Sequence, residues 1–299
     1  MGDLEPATRE EALLSAISTG ESVDLEPHTR KEALLKAILD GTVPDIDPKT
    51  REEVFLYGIA EKGIGGGSGG ATEPYIEETY DDNGNLIEVY MVGHTQIRAS
   101  AFDGCTNLAL ISLPKGINII GDFAFSGCTN LALTRLPDGL IGIGSSTFRG
   151  CTNLALTSLP DGINSIGDRA FYGCTNLALT SIPDGINSIK DYTFYECANL
   201  ALTSIPDGIN SIGNYVFSGC TNLALTSLPE EINSIGNNAF SRCTGLKEIT
   251  FKNKPSTLNS KAFNLCDNLS TINVPWGEGE VAGAPWGATN ATINYNYTA

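Results

Sequence analysis

Cysteine is the residue of this chain best suited to redox or metal chemistry, because thiolates bind soft metals and paired thiols oxidise to disulfides. No Cys-x-x-Cys pair occurs, so the spacing is not that of a zinc site and no metal is expected. Copies stacked about 4.8 Å apart would point their side chains the same way, which is poor disulfide geometry. We therefore predict buried, free thiols that pack as small hydrophobic groups. The eight residues recur every 23 positions, at Cys105, Cys128, Cys151, Cys174, Cys197, Cys220, Cys243 and Cys266.

Other residues that could support catalysis are few. The chain has two histidines, His28 and His94, and neither lies beside a plausible nucleophile in the sequence. No Gly-x-Ser-x-Gly, His-Glu-x-x-His or Walker motif is present. A near-perfect repeat supplies rows of identical side chains, whereas catalysis needs different groups that converge. We predict that the chain is not an enzyme and uses no cofactor.

Two rows of polar side chains recur with the same period. Carboxylates in line could gather calcium, which takes roughly six to eight oxygen ligands. A solvated acidic rim is the favoured alternative, because the calcium-binding motif of repeat proteins is absent. The acidic row follows the prolines, at Asp138, Asp161, Asp184 and Asp207. The serine row hardly varies and lies at Ser158, Ser181, Ser204 and Ser227.

These rows belong to an uninterrupted repeat of 23 residues. A phenylalanine precedes each cysteine by three positions, from Phe102 to Phe263, and apolar positions such as Leu154 and Ile163 recur in register. Self-similarity at roughly 20 to 50 residues is the signature of a solenoid, in which stacked copies share a continuous core. We predict an α/β repeat solenoid of about eight coils over residues 97–275.

The repeat resembles a known family. The pattern L-x-x-x-x-[LI]-P-x-x-[IL]-x-x-I-G-x-x-[AT]-F-x-x-C is similar to the BspA-type, or Treponema-type, leucine-rich repeat, over residues 97–275. Proteins of this kind are mostly bacterial surface proteins, and some act as adhesins. The resemblance therefore implies a concave sheet that binds a partner, but it names no ligand. One departure from the pattern is Lys252, where the row of prolines breaks.

The other departure concerns a row of leucines. The family repeat usually has an isoleucine three residues after its first leucine, where this chain has threonine, as at Thr157 and Thr180. In the family register, the leucine before each threonine would point outward, and an exposed apolar row usually marks an interaction site. The alternative is a one-residue change of register that turns the leucines inward. The candidate binding surface thus comprises the serine and aspartate rows together with Leu110, Leu133, Leu156, Leu179, Leu202 and Leu225.

Other segments flank the solenoid. Residues 1–64 hold three copies of a 21-residue repeat whose Thr-x-x-Glu capping boxes predict a helical arm, either a cap or a docking element for a larger assembly. Residues 65–70 are a Gly/Ser linker. Residues 71–96 predict a β-hairpin cap around an Asn-Gly turn. Residues 276–299 are expected to form the C-terminal cap.

The charge of the chain limits its partners. A formal net charge of −17 disfavours nucleic acid and anionic membrane surfaces. No apolar run reaches the roughly 20 residues needed to span a bilayer, and we predict no secretory signal peptide. The arm and residues 285–297 also resemble pieces of structural proteins from phages of gut Firmicutes, which implies a virion carrier.

From these patterns we expect a binding or adhesion module that presents its concave sheet to a protein or glycan on a host or cell surface. The expected carrier is a phage virion fibre or appendage. One alternative is a bacterial cell-surface adhesin whose signal peptide is missing from this chain. Another is a purely structural spacer, favoured by the near-identity of the outward positions.

Overall fold

A computed structural model describes residues 75–80, 86–92, 95–110, 112–113 and 116–298. The predicted helical arm and Gly/Ser linker lie outside these residues. No described segment is a helix long and apolar enough to cross a membrane. The described residues form β1 Tyr75–Tyr80, β2 Leu86–Val92, β3 Gln96–Ile97, β4 Ile119–Ile120, β5 Gly142–Ile143, β6 Ser165–Ile166, β7 Ser188–Ile189, β8 Ser211–Ile212, β9 Ser234–Ile235, β10 Glu248–Thr250, β11 Thr257–Leu258, β12 Thr271–Asn273 and β13 Thr292–Asn294.

The segment before the first coil is a β-hairpin. β1 pairs antiparallel with β2, from Tyr75 opposite Val92 to Tyr80 opposite Leu86. The register shifts between Thr79 and Tyr80, next to the Asn-Gly sequence that predicts the turn. That the hairpin covers the first coil stays a prediction.

Each coil of the solenoid has three sides, defined here on the coil that begins at Cys151. The first side is residues 154–159, the second side is residues 163–167, and the third side is residues 168–174. The second side holds a two-residue strand, and these strands stack in parallel as β3-β4-β5-β6 and as β7-β8-β9-β11. Parallel stacking of equivalent residues confirms the predicted solenoid.

The third side consists of turns because two of its residues have positive φ. In the coil named above these are Arg169, with a φ of 55°, and Gly173, with a φ of 70°. A right-handed helix cannot continue through such residues. The amides of Arg169, Phe171 and Gly173 instead donate to carbonyl oxygens of the next coil, over 2.7–3.0 Å. The α/β prediction is therefore wrong for the described coils, which contain no helix.

Stacked rings and thiols form the interior. Phenylalanine ring centroids of successive coils lie 5.1–5.7 Å apart, with their planes within 20° of parallel. Such pairs contribute about 0.5–1.5 kcal/mol each beyond the area they bury. The thiol of Cys128 donates to the carbonyl oxygen of Phe102, with 3.0 Å between Sγ and O. The same bond recurs in every later coil up to Cys266 and Phe240, at 2.9–3.1 Å.

The C-terminal segment continues the solenoid. On the first side, β10, β12 and β13 form a parallel sheet, and β13 lies within the predicted cap of residues 276–299. The solenoid therefore has about nine coils rather than eight. Trp276 and Trp286 are buried there and pack against Phe251, with ring centroids 5.2 and 6.1 Å from its ring.

The second side is interrupted between β6 and β7, and we call this interruption the seam. In most coils a glycine follows the strand, and a Cβ at Gly236 would lie only 2.6 Å from the carbonyl carbon of Gly213. Lys190 occupies this position in the coil after β6 and brings a Cβ to it. Among the described residues, the amides of Asn187 and Lys190 find no partner in the preceding coil, whereas that of Gly213 donates to the carbonyl oxygen of Ile189 at 2.8 Å.

We predict that Lys190→Gly closes the seam. Two backbone hydrogen bonds of about 1 kcal/mol each should form, offset by about 0.5–1 kcal/mol of glycine entropy, for a net gain of about 1 kcal/mol. Urea denaturation measures the gain, and amide hydrogen exchange should slow at residues 187 and 190. Lys190→Ala is the matched control, since it retains the Cβ and removes the rest of the side chain; Asn259 has a Cβ at the equivalent position and still donates to the carbonyl oxygen of Ile235 at 3.1 Å. Equal exchange rates in the two variants would contradict this explanation.

Candidate functional site

The cysteines, the first candidates for chemistry, belong to the core. None of the eight forms a disulfide, and all except the half-buried Cys105 are buried. Burial, together with the neighbouring Cys105, raises the pKa of the Cys128 thiol to about 12, and burial also raises the pKa of Cys174 and Cys220 well above the usual value. A thiol that stays protonated is a poor nucleophile and a poor metal ligand. The prediction of buried, free thiols is confirmed from Cys128 onward, and the bond to the phenylalanine carbonyl is an addition to it.

The predicted leucine row faces the core instead of the solvent. Leu154 and Leu156 both point inward, so Thr157 and Ser158 are exposed together before the chain returns inward at Leu159. Burying a leucine contributes about 1.5–3 kcal/mol, which is enough to decide the register when every coil repeats the choice. The expectation of an outward leucine row is wrong, and the change of register is what the fold adopts. The residues concerned are at most 8% exposed: Leu110, Leu133, Leu156, Leu179, Leu202 and Leu225.

The predicted serine row lies at the surface of the first side. Ser158, Ser181 and Ser204 are exposed, whereas Ser227 is half-buried because it forms a bridge with Thr250 of the next coil. The threonines that precede the serines are exposed as well. We give the name first-side polar face to the surface formed by these threonines, these serines and the aspartates of the predicted row. Each of these aspartates lies two residues after the buried residue equivalent to Leu159.

The predicted aspartate row is exposed at Asp138, Asp161, Asp184 and Asp207. The last of these is paired, since Nζ of Lys252 donates to Oδ1 of Asp207 at 2.8 Å. That hydrogen bond lowers the pKa of Asp207, aided by the backbone amide of Glu230. The lysine that breaks the proline row therefore neutralises one end of the acidic row.

The aspartates remain in a row and do not converge. Within the part of the chain that the structure describes, no group of three or more His, Cys, Asp or Glu side chains is placed to hold a metal ion. His28 and His94 lie outside that part of the chain. The described geometry thus offers periodic polar groups on a surface.

A polar groove lies on the second side beside the seam. It has a volume of about 600 Å³ and runs along β7, β8, β9 and β11, lined by Ser188, Ser211 and Asp191 among others. The carboxylate of Asp191 accepts hydrogen bonds from the backbone and side-chain amides of Asn214, at 2.7 and 3.0 Å. This carboxylate therefore links two neighbouring coils at the edge of the groove.

The sequence analysis missed a cluster of four half-buried tyrosines on the third side, Tyr172, Tyr192, Tyr195 and Tyr215. The closest ring pair is Tyr172 with Tyr195, whose centroids are 4.7 Å apart, and Tyr192 lies 5.0 Å from Tyr215. Burial, followed by the neighbouring carboxylate of Glu196, raises the pKa of Tyr195. The available signal was the departure of these positions from the otherwise uniform repeat.

The repeat geometry agrees with a sequence family. Residues 95–224 and 164–278, together more than half of the chain, match the BspA type leucine rich repeat region. The chain belongs to the BspA-type leucine-rich repeat family. No curated protein sequence matches it at a significant level.

Solved structures of leucine-rich repeat proteins are similar to this chain. A leucine-rich repeat protein of T. pallidum is 28% identical, with a TM-score of 0.46, over 57% of this chain and 87% of that one. A leucine-rich repeat protein from Bacteroides ovatus is 20% identical, with a TM-score of 0.40, over 76% of each chain. A leucine rich cell surface protein from Faecalibacterium prausnitzii is 22% identical, with a TM-score of 0.34, over 68% of this chain and 77% of that one.

Two coils keep the usual BspA-type spacing on the first side, and both form strands there. In the first of them, Leu246, Ile249 and Phe251 are buried, so the last three residues alternate as a strand requires. In the preceding coils, a leucine such as Leu156 takes the place of this isoleucine but lies one position earlier. Two exposed residues then follow it, so buried and exposed residues no longer alternate. The chain therefore forms β10 and β12 but no strand at the equivalent positions of the coil from Cys151.

We predict that stability falls at alkaline pH because of the buried thiols. An unfolded thiol loses its proton near pH 8.5, whereas Cys128 in the fold keeps it up to about pH 12. The stabilising effect is complete below the unfolded pKa and is lost as the pH rises from there toward 12, at about 1.4 kcal/mol per thiol per pH unit. Urea denaturation between pH 7.5 and pH 10, conditions chosen around the unfolded pKa of roughly 8.5, measures the slope.

Cys128→Ala provides the control, because it should make the pH slope shallower by the share of one thiol. Ellman's reagent at neutral pH should modify at most Cys105 in the native chain and all eight cysteines after unfolding. An unchanged slope in the variant, or rapid labelling of the buried thiols, would contradict the assignment.

Proposed function

We propose that the chain is a non-enzymatic binding module, which presents the first-side polar face to a protein or glycan on a host or cell surface. The observation that carries the proposal is the set of unused polar groups on this face. In the described part of the chain, the side chains of Ser158, Ser181 and Ser204 make no hydrogen bond, and neither do those of Asp161 and Asp184. Exposed donors and acceptors in regular rows suit a ligand that also repeats, such as an extended glycan or peptide strand.

The uniform core supports the same proposal. Each coil buries its own phenylalanine, cysteine and leucines, so stability does not depend on which side chains stand on the outer face. The outer positions are therefore free to serve recognition. The competing function, a purely structural spacer, is favoured by the similarity of those positions from coil to coil.

The proposed carrier is a structure exposed outside a cell. Proteins similar to BspA-type repeat proteins are mostly bacterial surface proteins, which supports an adhesin on a cell wall. The resemblance of the helical arm and the closing residues to phage structural proteins supports a virion fibre or appendage. The net charge of −17 argues against nucleic acid and against anionic lipid as partners in either setting.

We predict saturable binding of the labelled full chain to intact bacterial or epithelial cells, competed by unlabelled chain. The triple variant Ser158→Lys, Ser181→Lys and Ser204→Lys should weaken binding by about tenfold or more, because it places bulky cations along one row. A variant with Ser256→Lys, Ser260→Lys and Thr289→Lys adds the same charge at exposed positions away from the serine row and should bind normally. Absence of saturable binding to any cell would favour the spacer.

The carrier is tested by location. If the chain is a virion component, antibodies against it should decorate phage particles in electron micrographs, and its gene should lie beside tail or capsid genes. If it is an adhesin, the antibodies should label intact bacteria instead. Labelling of neither particle would overturn the proposal of an exposed carrier.

A further inference from the structure

Two positions of the third side vary from coil to coil, and both carry tyrosine within three adjacent coils. One position carries Ser126, Ser218 and Ser241 in other coils but Tyr172 and Tyr195 here. The second variable position carries Ser146 and Asn238 in two other coils, and larger residues such as Phe123 and Lys261 in others, but Tyr192 and Tyr215 here. Four tyrosines of the ten in the chain therefore meet on one face of three coils.

The four rings form one connected cluster. Tyr172 stacks on Tyr195, and Tyr192 stacks on Tyr215, so each pair runs along the solenoid axis. The two columns touch, because the ring centroids of Tyr192 and Tyr195 are 5.8 Å apart at an interplanar angle of 57°. All four side chains are half-buried, so each is partly accessible to solvent.

Exposed arginines border the cluster. The guanidinium carbon of Arg169 lies 4.7 Å from the ring centroid of Tyr192, and that of Arg149 lies 5.7 Å from Tyr172. Arg242 lies near enough to Tyr195 to lower its pKa in part. We call these three arginines and four tyrosines the Tyr/Arg patch. Both ion pairs of the described residues lie elsewhere, so none of the three guanidinium groups is neutralised by a carboxylate.

Two acidic groups lie near the cluster. Asp191 accepts two hydrogen bonds from Asn214, and the carboxylate of Glu196 lies beside Tyr195, whose pKa it helps to raise. In a chain with a net charge of −17, three unpaired arginines on one face are an exception to the general excess of acidic residues. A partner that supplies carboxylates would neutralise these arginines, since guanidinium groups bind carboxylates in a bidentate manner.

The geometry favours a protein over a glycan as the partner. A sugar ring stacks on the face of an aromatic ring, but here Tyr172 and Tyr192 each lie between a tyrosine and an arginine, and Tyr195 and Tyr215 each have one face covered by a tyrosine. What remains on Tyr172 and Tyr192 are the ring edges and hydroxyl groups, and tyrosine and arginine are enriched in protein–protein hot spots. From Arg149 to Arg242 the patch spans about 20 Å, which suits an interface of roughly 800 Å² per partner.

We infer that the Tyr/Arg patch is a second docking surface, which binds a protein segment that bears carboxylate side chains. It lies on a different side of the coil from the first-side polar face and does not depend on it. The partner places its carboxylates on the three arginines and packs its apolar groups against the tyrosine edges.

An array of synthetic peptides of defined sequence, graded from strongly acidic to strongly basic, tests this inference with the full chain. Peptides rich in Asp and Glu should bind best. Tyr192→Asn with Tyr195→Ser should reduce the affinity by about tenfold or more, and so should Arg149→Gln with Arg169→Gln. The tyrosine replacements are residues that other coils carry at the same positions, so the melting temperature should stay nearly unchanged. Arg135→Gln and Tyr297→Ser, exposed residues away from the patch, are the controls.

Loss of acidic-peptide binding in both patch variants, with the controls unaffected, supports the inference. It is overturned if no peptide binds, if binding survives both variants, or if the patch variants instead abolish binding to uronic and sialic acids on a glycan array. Binding to intact cells through the serine row is measured with the same variants. Cell binding that persists while the peptide result is negative removes the second docking surface and leaves the proposed function standing.

Discussion

The bond from each cysteine thiol after Cys105 to the phenylalanine carbonyl of the preceding coil is the interaction on which the rest of the structure depends. This carbonyl also accepts the amide of the cysteine in its own coil, as Phe102 does from Cys105, so the thiol occupies its remaining lone pair inside the core. A buried polar group left unpaired costs about 1–3 kcal/mol. One inserted residue would rotate the thiol away and shift the stacked ring beside it, which explains why the spacing of the cysteines stays at 23 residues from Cys105 to Cys266.

The sequence predicted those features that the core repeats. The spacing of cysteine and phenylalanine predicted the solenoid and the buried thiols, because both residues recur without exception. The register of the first side could not be predicted, since Leu156 and Thr157 are adjacent and each satisfies a plausible pattern. The absence of a helix depends on positive φ at residues such as Arg169, which have no glycine to signal them. The ninth coil was missed because residues 276–299 contain neither phenylalanine nor cysteine.

The surface of the solenoid divides into regular and irregular parts, and the two require different explanations. The first-side polar face repeats because its side chains follow the period of the core. The similarity of these side chains from coil to coil therefore does not distinguish a recognition surface from a simply solvated one. The Tyr/Arg patch has no such origin. No packing requirement asks for tyrosine where Ser218 or Asn238 suffices in the neighbouring coils. The sequence analysis overlooked the patch because it searched for rows and not for exceptions to them.

The seam divides the solenoid on one side only. Across it, the rings of Phe171 and Phe194 remain stacked at 5.5 Å and 3°, and the amide of Phe171 still donates to the carbonyl oxygen of Thr193 at 2.9 Å. The third side is therefore continuous across the seam, whereas the strands of the second side are not paired there. Bending that widens the gap breaks no hydrogen bond on the second side, so the curvature of the stack is softest at this coil. A ligand that contacts coils on both sides of the seam would fix the angle between the coils before it and the coils after it. The solenoid would then bend at the seam instead of behaving as a rigid rod.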